Sequence, residues 1–164
     1  MRKLWLFWGL ASLLLLGGCA FNPINPYGLA PGTPREAVIA RLGQPGRVVP
    51  LAPGGERLQY SGQPFGQYAW MVDLDAAGRV ARSRQVLTAL EFNRIEPGIW
   101  TRADVEREFG RPAKIDSVSS WGGPVLTYRW YDGGDMFYWV YLDSAGVVRR
   151  AHPGMEFINA PDRE

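Results

Sequence analysis

Pro97-Gly98-Ile99-Trp100-Thr101-Arg102-Ala103-Asp104-Val105-Glu106-Arg107-Glu108-Phe109-Gly110-Arg111-Pro112 reads as a helix with both ends written into it. Thr101 with Asp104 three residues on is the arrangement in which a hydroxyl and a carboxylate each satisfy a free amide at a helix start. Val105 and Phe109 are four apart and share a face. Gly110 stops the helix, and Pro112 prevents its continuation. The same order occurs earlier as Pro31-Gly32-Thr33-Pro34-Arg35-Glu36, then Val38 and Leu42, then Gly43-Gln44-Pro45. There Thr33 is the expected cap with Glu36 its partner. Pro34 fits the first helical position, where its missing N–H costs nothing.

The match continues down the chain. Leu58-Gln59-Tyr60 answers to Leu126-Thr127-Tyr128, and Val72-Asp73-Leu74-Asp75-Ala76-Ala77-Gly78 to Val140-Tyr141-Leu142-Asp143-Ser144-Ala145-Gly146, each 68 residues apart. The Gly-x-Pro pairs are 67 apart. A period this long implies duplication of a small domain, not a solenoid. After each helix the hydrophobic period becomes two. Residues 56–61, 67–74 and 79–86 read as strands in copy one, and 125–131, 136–142 and 147–151 in copy two. Asp-rich and Gly-rich turns separate them. The expected fold is α+β: two tandem repeats, each a short helix or helix pair packed on an antiparallel sheet of three to four strands. The repeats fall at 31–87 and 88–154, with a tail at 155–164. A further short helix opens copy two, capped by Thr88 with Glu91 three on, and turns Phe92 and Ile95 inward. Copy one offers Phe21-Asn22-Pro23-Ile24-Asn25-Pro26-Tyr27-Gly28 in its place, which reads as a tether.

Ahead of the tether, Arg2 and Lys3 precede an apolar run from Leu4 to Leu16 broken only by Ser12. Then come Gly17, Gly18 and Cys19, the chain's one cysteine. Basic start, apolar centre and small residues in that order are a secretory signal. The run is short of the ~20 apolar residues that span a bilayer. Removing residues 1–18 of 164 leaves 146, enough for one ordinary domain or two small ones. The 18 Lys and Arg lose Arg2 and Lys3, so 16 basic residues face 16 acidic ones. A neutral chain has no electrostatic reason to bind nucleic acid. One cysteine cannot form a disulfide within the chain, so an apolar core must hold the fold. Seven Trp, seven Tyr and seven Phe, less Trp5, Phe7 and Trp8 of the signal, supply much of it.

The residues of an enzyme do not assemble. His152 is the only histidine, beside Pro153 near a strand end, and no serine sits in Gly-x-Ser-x-Gly. No second histidine or free thiol completes a zinc site. Asp73 and Asp75 alternate and would share a strand face, but Asp75 with Gly78, like Asp132 and Asp135 around Gly133-Gly134, is turn chemistry. Pro53-Gly54-Gly55 lacks the Lys-Ser/Thr of a phosphate loop. The expectation is a non-catalytic protein with no metal and no cofactor.

Binding is the better expectation. Along 136–143, Tyr138, Val140 and Leu142 align with Trp70, Val72 and Leu74 and belong to the helix-covered core. The opposite parity carries Phe137, Trp139 and Tyr141, against Ala69, Met71 and Asp73 in copy one. Arg129 and Tyr131 of the neighbouring strand fall on the same outer side. Aromatics with an arginine are the composition of interface hot spots. Arg129, Tyr131, Phe137, Trp139 and Tyr141 therefore form the candidate interaction face. The competing reading, slightly favoured, is that copy one packs over this face and makes it internal, since a unit of ~60 residues is marginally stable alone.

Two resemblances add to this. Leu16-Gly17-Gly18-Cys19 resembles the lipobox of bacterial lipoproteins, which implies cleavage before Cys19 and acylation of its sulfur and new amine. The string Leu87-Thr88-Ala89-Leu90-Glu91-Phe92-Asn93-Arg94-Ile95-Glu96-Pro97-Gly98, with the capped helix and Gly110-x-Pro112, resembles the SmpA/OmlA (BamE-like) lipoprotein domain. That domain is similar to the repeat of β-lactamase inhibitor proteins, with helices on one face of an antiparallel sheet. The resemblance implies an outer-membrane lipoprotein facing the periplasm, held in the membrane by lipid on Cys19. Ala20 after Cys19 fits export to the outer membrane. The implied role is a scaffold meeting a protein partner in outer-membrane or envelope assembly. An inhibitor-like module that clamps an envelope enzyme is the alternative.

Overall fold

The computed structural model describes Pro26 and residues 28–156. The proposed signal at 1–18, Cys19, most of the 19–30 tether and residues 157–164 lie outside the described residues.

The chain forms two equivalent units. The first is α1 (Arg35–Leu42), β1 (Arg47–Leu51), β2 (Gly55–Ser61), β3 (Ala69–Leu74) and β4 (Val80–Gln85). The second is α2 (Ala89–Phe92), α3 (Arg102–Phe109), β5 (Lys114–Ser117), β6 (Pro124–Tyr131), β7 (Asp135–Leu142) and β8 (Val148–Met155). Each unit's strands form a four-stranded antiparallel meander, sheet 1 and sheet 2, in chain order. Among the described residues no helix is long and apolar enough to cross a membrane.

The duplication is visible atom by atom. Asp75 Oδ1 accepts from the N–H groups of Ala77 and Arg79, and Asp143 Oδ1 from those of Ala145 and Val147, all at 2.9 Å. Each of these turns then holds a helix start: the Gly78 carbonyl accepts from Arg35 N–H at 2.9 Å, and that of Gly146 from Arg102 N–H at 2.8 Å. Tyr60 Oη donates to the Gly43 carbonyl at 3.0 Å, and Tyr128 Oη to that of Gly110 at 2.9 Å, so a tyrosine of the second strand anchors each helix end. Gly55 and Gly123 also correspond. A Cβ at either would collide with the carbonyl of Leu74 or Leu142, so the backbones approach as only glycine permits.

The start of α1 departs from expectation. Its cap is Pro34, and the Thr33 hydroxyl instead donates to the Ala30 carbonyl at 2.7 Å. The helix bodies align 67 residues apart, Val38 with Val105 and Gly43 with Gly110, so Pro34 stands where Thr101 does. The matching bridges Pro34–Arg79 and Thr101–Val147 agree. A complete capping box forms only at Thr101 and Asp104. Thr88 caps α2, accepting from Glu91 N–H at 3.3 Å. The two edge strands β1 and β5 were not expected individually. Pro50 in β1 is tolerated because an edge strand need not donate on its outer side. β8 runs past its expected end at Ala151, with Met155 opposite Met136.

Strand parity sorts the layers. Leu58, Tyr60, Trp70, Val72, Leu74 and Val80 face α1, whose Val38 is fully buried. From the opposite face of sheet 1, Ala69 and Met71 join a larger core with Phe92, Val105 and Phe109 of the helices and Leu126, Tyr128, Val140 and Leu142 of sheet 2. The order is thus α1, sheet 1, the α2 and α3 layer, sheet 2. β3 is buried along its whole length because helices cover both its faces. Phe92 is the centre of the larger core, parallel to Tyr138 with centroids 3.9 Å apart, and 5.0 Å from Phe109 and 5.4 Å from Trp130. Burying such a ring contributes roughly 2–3 kcal/mol.

Where sheet 1 meets α3 the contact is ionic. The Arg57 side chain, only 4% exposed, grips Asp73 through Nε and Nη2 at 2.6 and 3.0 Å, and Glu108 through Nη1 at 3.0 Å. Arg84 bridges Glu91 and Glu108. Asp75, expected to share a strand face with Asp73, lies beyond the end of β3, and its carboxylate serves the turn. Burial alone would raise the Asp73 and Glu108 carboxyls. The hydrogen bonds and charge of Arg57, with Arg82 at Asp73 and Arg84 at Glu108, hold both below the usual carboxylate range.

Candidate functional site

The outer face of sheet 2 is the candidate site, and its setting corrects one expectation. Copy one does not cover it; only its Gln63–Phe65 segment reaches the edge at Arg129. The cover runs the other way: α2 and α3 of copy two lie on the corresponding face of sheet 1.

Phe137, Trp139 and Tyr141 point to this face from β7 and are half-buried. Phe137 and Trp139 lie 5.7 Å apart, and Trp139 lies 5.4 Å from His152. His152 stacks on Tyr141 at 5.4 Å and 20°. Trp121 meets Tyr141 edge-on at 5.3 Å. Arg150 closes the row, 4.0 Å from the centre of Tyr141 and 5.6 Å from that of Trp121. Gly154 makes room for the Trp139 indole; a Cβ there would collide with it.

The other two expected members sit differently. Tyr131, 63% exposed, is at the end of β6 and makes no ring contact with the row. Arg129 is occupied within the fold. Its Nε pairs with Glu156 at 2.8 Å, and Nη1 donates to the Phe65 carbonyl at 2.7 Å. Gln63 completes this joint: its side-chain amide donates to the Arg129 carbonyl at 2.7 Å and accepts from Arg129 N–H at 3.0 Å, as a neighbouring strand would. Arg129 thus locks the two units together.

His152, Arg150 and Trp121 were not expected on this face. The sequence predicts a surface or strand-end residue at His152; it is part of a face, inside β8, which continues three residues beyond it. The register places Trp139 opposite His152 and Tyr141 opposite Arg150. Extending the alternation past Ala151 would have found His152, and Arg150 already lay on the same parity of the expected strand. No sequence signal marks Trp121, which is carried by a turn.

Beside the row runs a groove of about 460 Å³ lined by Pro64, Lys114, Thr127, Arg129, Phe137 and Trp139. Thr127 Oγ1 is buried without a hydrogen-bond partner. A larger cavity, about 720 Å³, lies between the units and is lined by Arg47, Gln59, Arg102, Glu106 and Arg111, among others. Its one carboxylate, Glu106, is paired with Arg102 at 2.7 Å and Arg47 at 3.4 Å. Among the described residues, no three His, Cys, Asp or Glu side chains come together as a metal site.

No family model matches the chain. No curated protein matches it. Among solved structures, a DUF4309 family protein, YjgB from Bacillus subtilis subsp. subtilis str. 168, is similar at 16% identity. The likeness covers 79% of this chain and 84% of that one, with a TM-score of 0.32. A likeness that low carries nothing to this chain.

Proposed function

We propose that this chain is a non-catalytic interaction module of the cell envelope: a lipoprotein of the SmpA/OmlA (BamE-like) kind, anchored in the outer membrane through Cys19 and facing the periplasm. It docks a protein partner of envelope assembly on the outer face of sheet 2. One observation carries the reading. Of the four sheet faces, three are covered by helices, and the fourth presents an aromatic row ending in Arg150. Exposed apolar surface of this kind marks partner sites, and aromatic and arginine side chains dominate binding energy at them. Several acyl chains on one residue give stable attachment where a single chain is marginal.

Two measurements test the proposal. Cys19→Ser is expected to move the protein out of the membrane fraction; retention there would overturn the anchor. Trp139→Ala with Tyr141→Ala is expected to abolish recovery of envelope-assembly partners while the melting transition stays cooperative. Unchanged recovery would overturn the docking face. Recovery of a soluble enzyme alone would favour the inhibitor-like alternative.

A further inference from the structure

The two sheets present equivalent faces, and what covers the first indicates what the second accepts. On sheet 1, Gln59 Nε2 donates to the carbonyls of Glu106 and Arg107 at 3.0 and 2.9 Å, at the C-terminal turn of α3. Arg57 donates to the Arg107 carbonyl at 3.1 Å. Arg84 takes carboxylates from both helices. Met71 lies against Gly110. Sixty-eight residues later, Trp139 stands for Met71, Tyr141 for Asp73, Arg150 for Arg82 and His152 for Arg84. No element among the described residues lies over them.

We infer that this face seats an amphipathic α-helix of the protein partner, laid across β6–β8 as α3 and α2 lie across β2–β4. An apolar stripe of that helix rests on Phe137 and Trp139, and a carboxylate from it meets Arg150. The inference rests on the docking role proposed above. Three observations carry it. Among the described residues every covered sheet face is covered by helix, so this repeated sheet is one on which helices pack. Arg150 has no carboxylate partner among the described residues, whereas its counterpart Arg82 is paired with Asp73. Val125 and Tyr141 stand where sheet 1 has the buried ions Arg57 and Asp73, so the contact with the helix body becomes apolar, while the charge of Arg82 is kept as Arg150. An acidic residue on an otherwise apolar helix face matches that distribution.

Photo-cross-linking in intact cells tests this. A benzoylphenylalanine is placed in the full chain at Trp139 or at Tyr141, with a control at Ala37, which is exposed on α1. The adduct is mapped by mass spectrometry. The expected adduct lies in a helical segment of another protein, within one turn of an Asp or Glu. Arg150→Glu should reduce its yield by about tenfold or more, since like charges then face each other. Arg150→Gln should fall between that and the parent, with the thermal transition of both variants unchanged. An adduct in a strand or loop, or in a second copy of this chain, would overturn the helix and leave the docking role intact. A yield indifferent to Arg150→Glu would overturn the charge contact on which the helix was placed. No protein adduct above the Ala37 control would overturn the docking role as well.

Discussion

At the residue scale, Arg57 and Thr127 mark two extremes of polar burial. Arg57 neutralises Asp73 and Glu108 where water cannot reach them. Arg57→Met would leave two buried carboxylates short of a partner and is expected to cost about 3–5 kcal/mol in denaturant unfolding. A loss under about 1 kcal/mol would mean that Arg82 and Arg84 suffice without it. Thr127 is the opposite case, a hydroxyl buried with nothing to bond. Thr127→Val keeps the shape and removes an unsatisfied group, so stability should hold or rise by about 1 kcal/mol. A clear loss of stability would show that the hydroxyl has a partner in solution. Little of this was legible in advance. Alternation along β3 placed Asp73 on the face away from α1, as it is. Nothing local revealed that Arg57 and Glu108, 51 residues apart, would meet there to bury it.

The helices show how far a local signal reaches. Thr101 and Thr33 precede almost the same sequence, yet only Thr101 closes a capping box. Thr101→Ala is expected to lower stability by about 1 kcal/mol or more. Thr33→Ala should stay within about 0.5 kcal/mol, because that hydroxyl serves only a preceding turn. Equal losses would sink the assignment of Pro34 as the cap. The error at Thr33 came from matching the repeats by their threonines when the helix bodies are one residue out of step. Val38, Leu42 and Gly43 held the better register and were already in view. The inner strands were readable because β2, β3, β6 and β7 carry large apolar side chains in alternation on a helix-facing parity. β1 and β5, at the edges, bury little and carry polar residues or proline, so no period announced them.

For the whole molecule, the ionic joint between the units makes cohesion depend on pH. Asp73 and Glu108 have folded-state carboxyls held below their unfolded values. The sign follows: an unfolded chain takes up protons first, so the stabilisation is complete above about pH 4 and is lost as pH falls through the folded values. Urea midpoints should therefore decline in acid, and Arg57→Met should flatten that decline. A parent midpoint unchanged down to about pH 3 would contradict the assignment. The duplication and the α+β layout were legible from landmark spacing alone. The stacking order was not, because a sequence shows which strand face is apolar but not which helix will come to lie on it. The aromatic face of copy two was expected to take the cover because a unit of ~60 residues is marginally stable alone. The less aromatic face of copy one took the helices because it carried the charges to hold them.

The layering also fixes a height. The chain enters beside α1, where Leu29 packs into the first core, and the aromatic row lies at the far end of the stack. With layers spaced at ~10 Å, three intervals separate α1 from sheet 2, or ~30 Å. If Cys19 carries lipid as proposed, the anchor joins the stack at its α1 end, three layers from the aromatic row. Another repeat inserted between the two units would move that row ~20 Å farther from α1 without altering it.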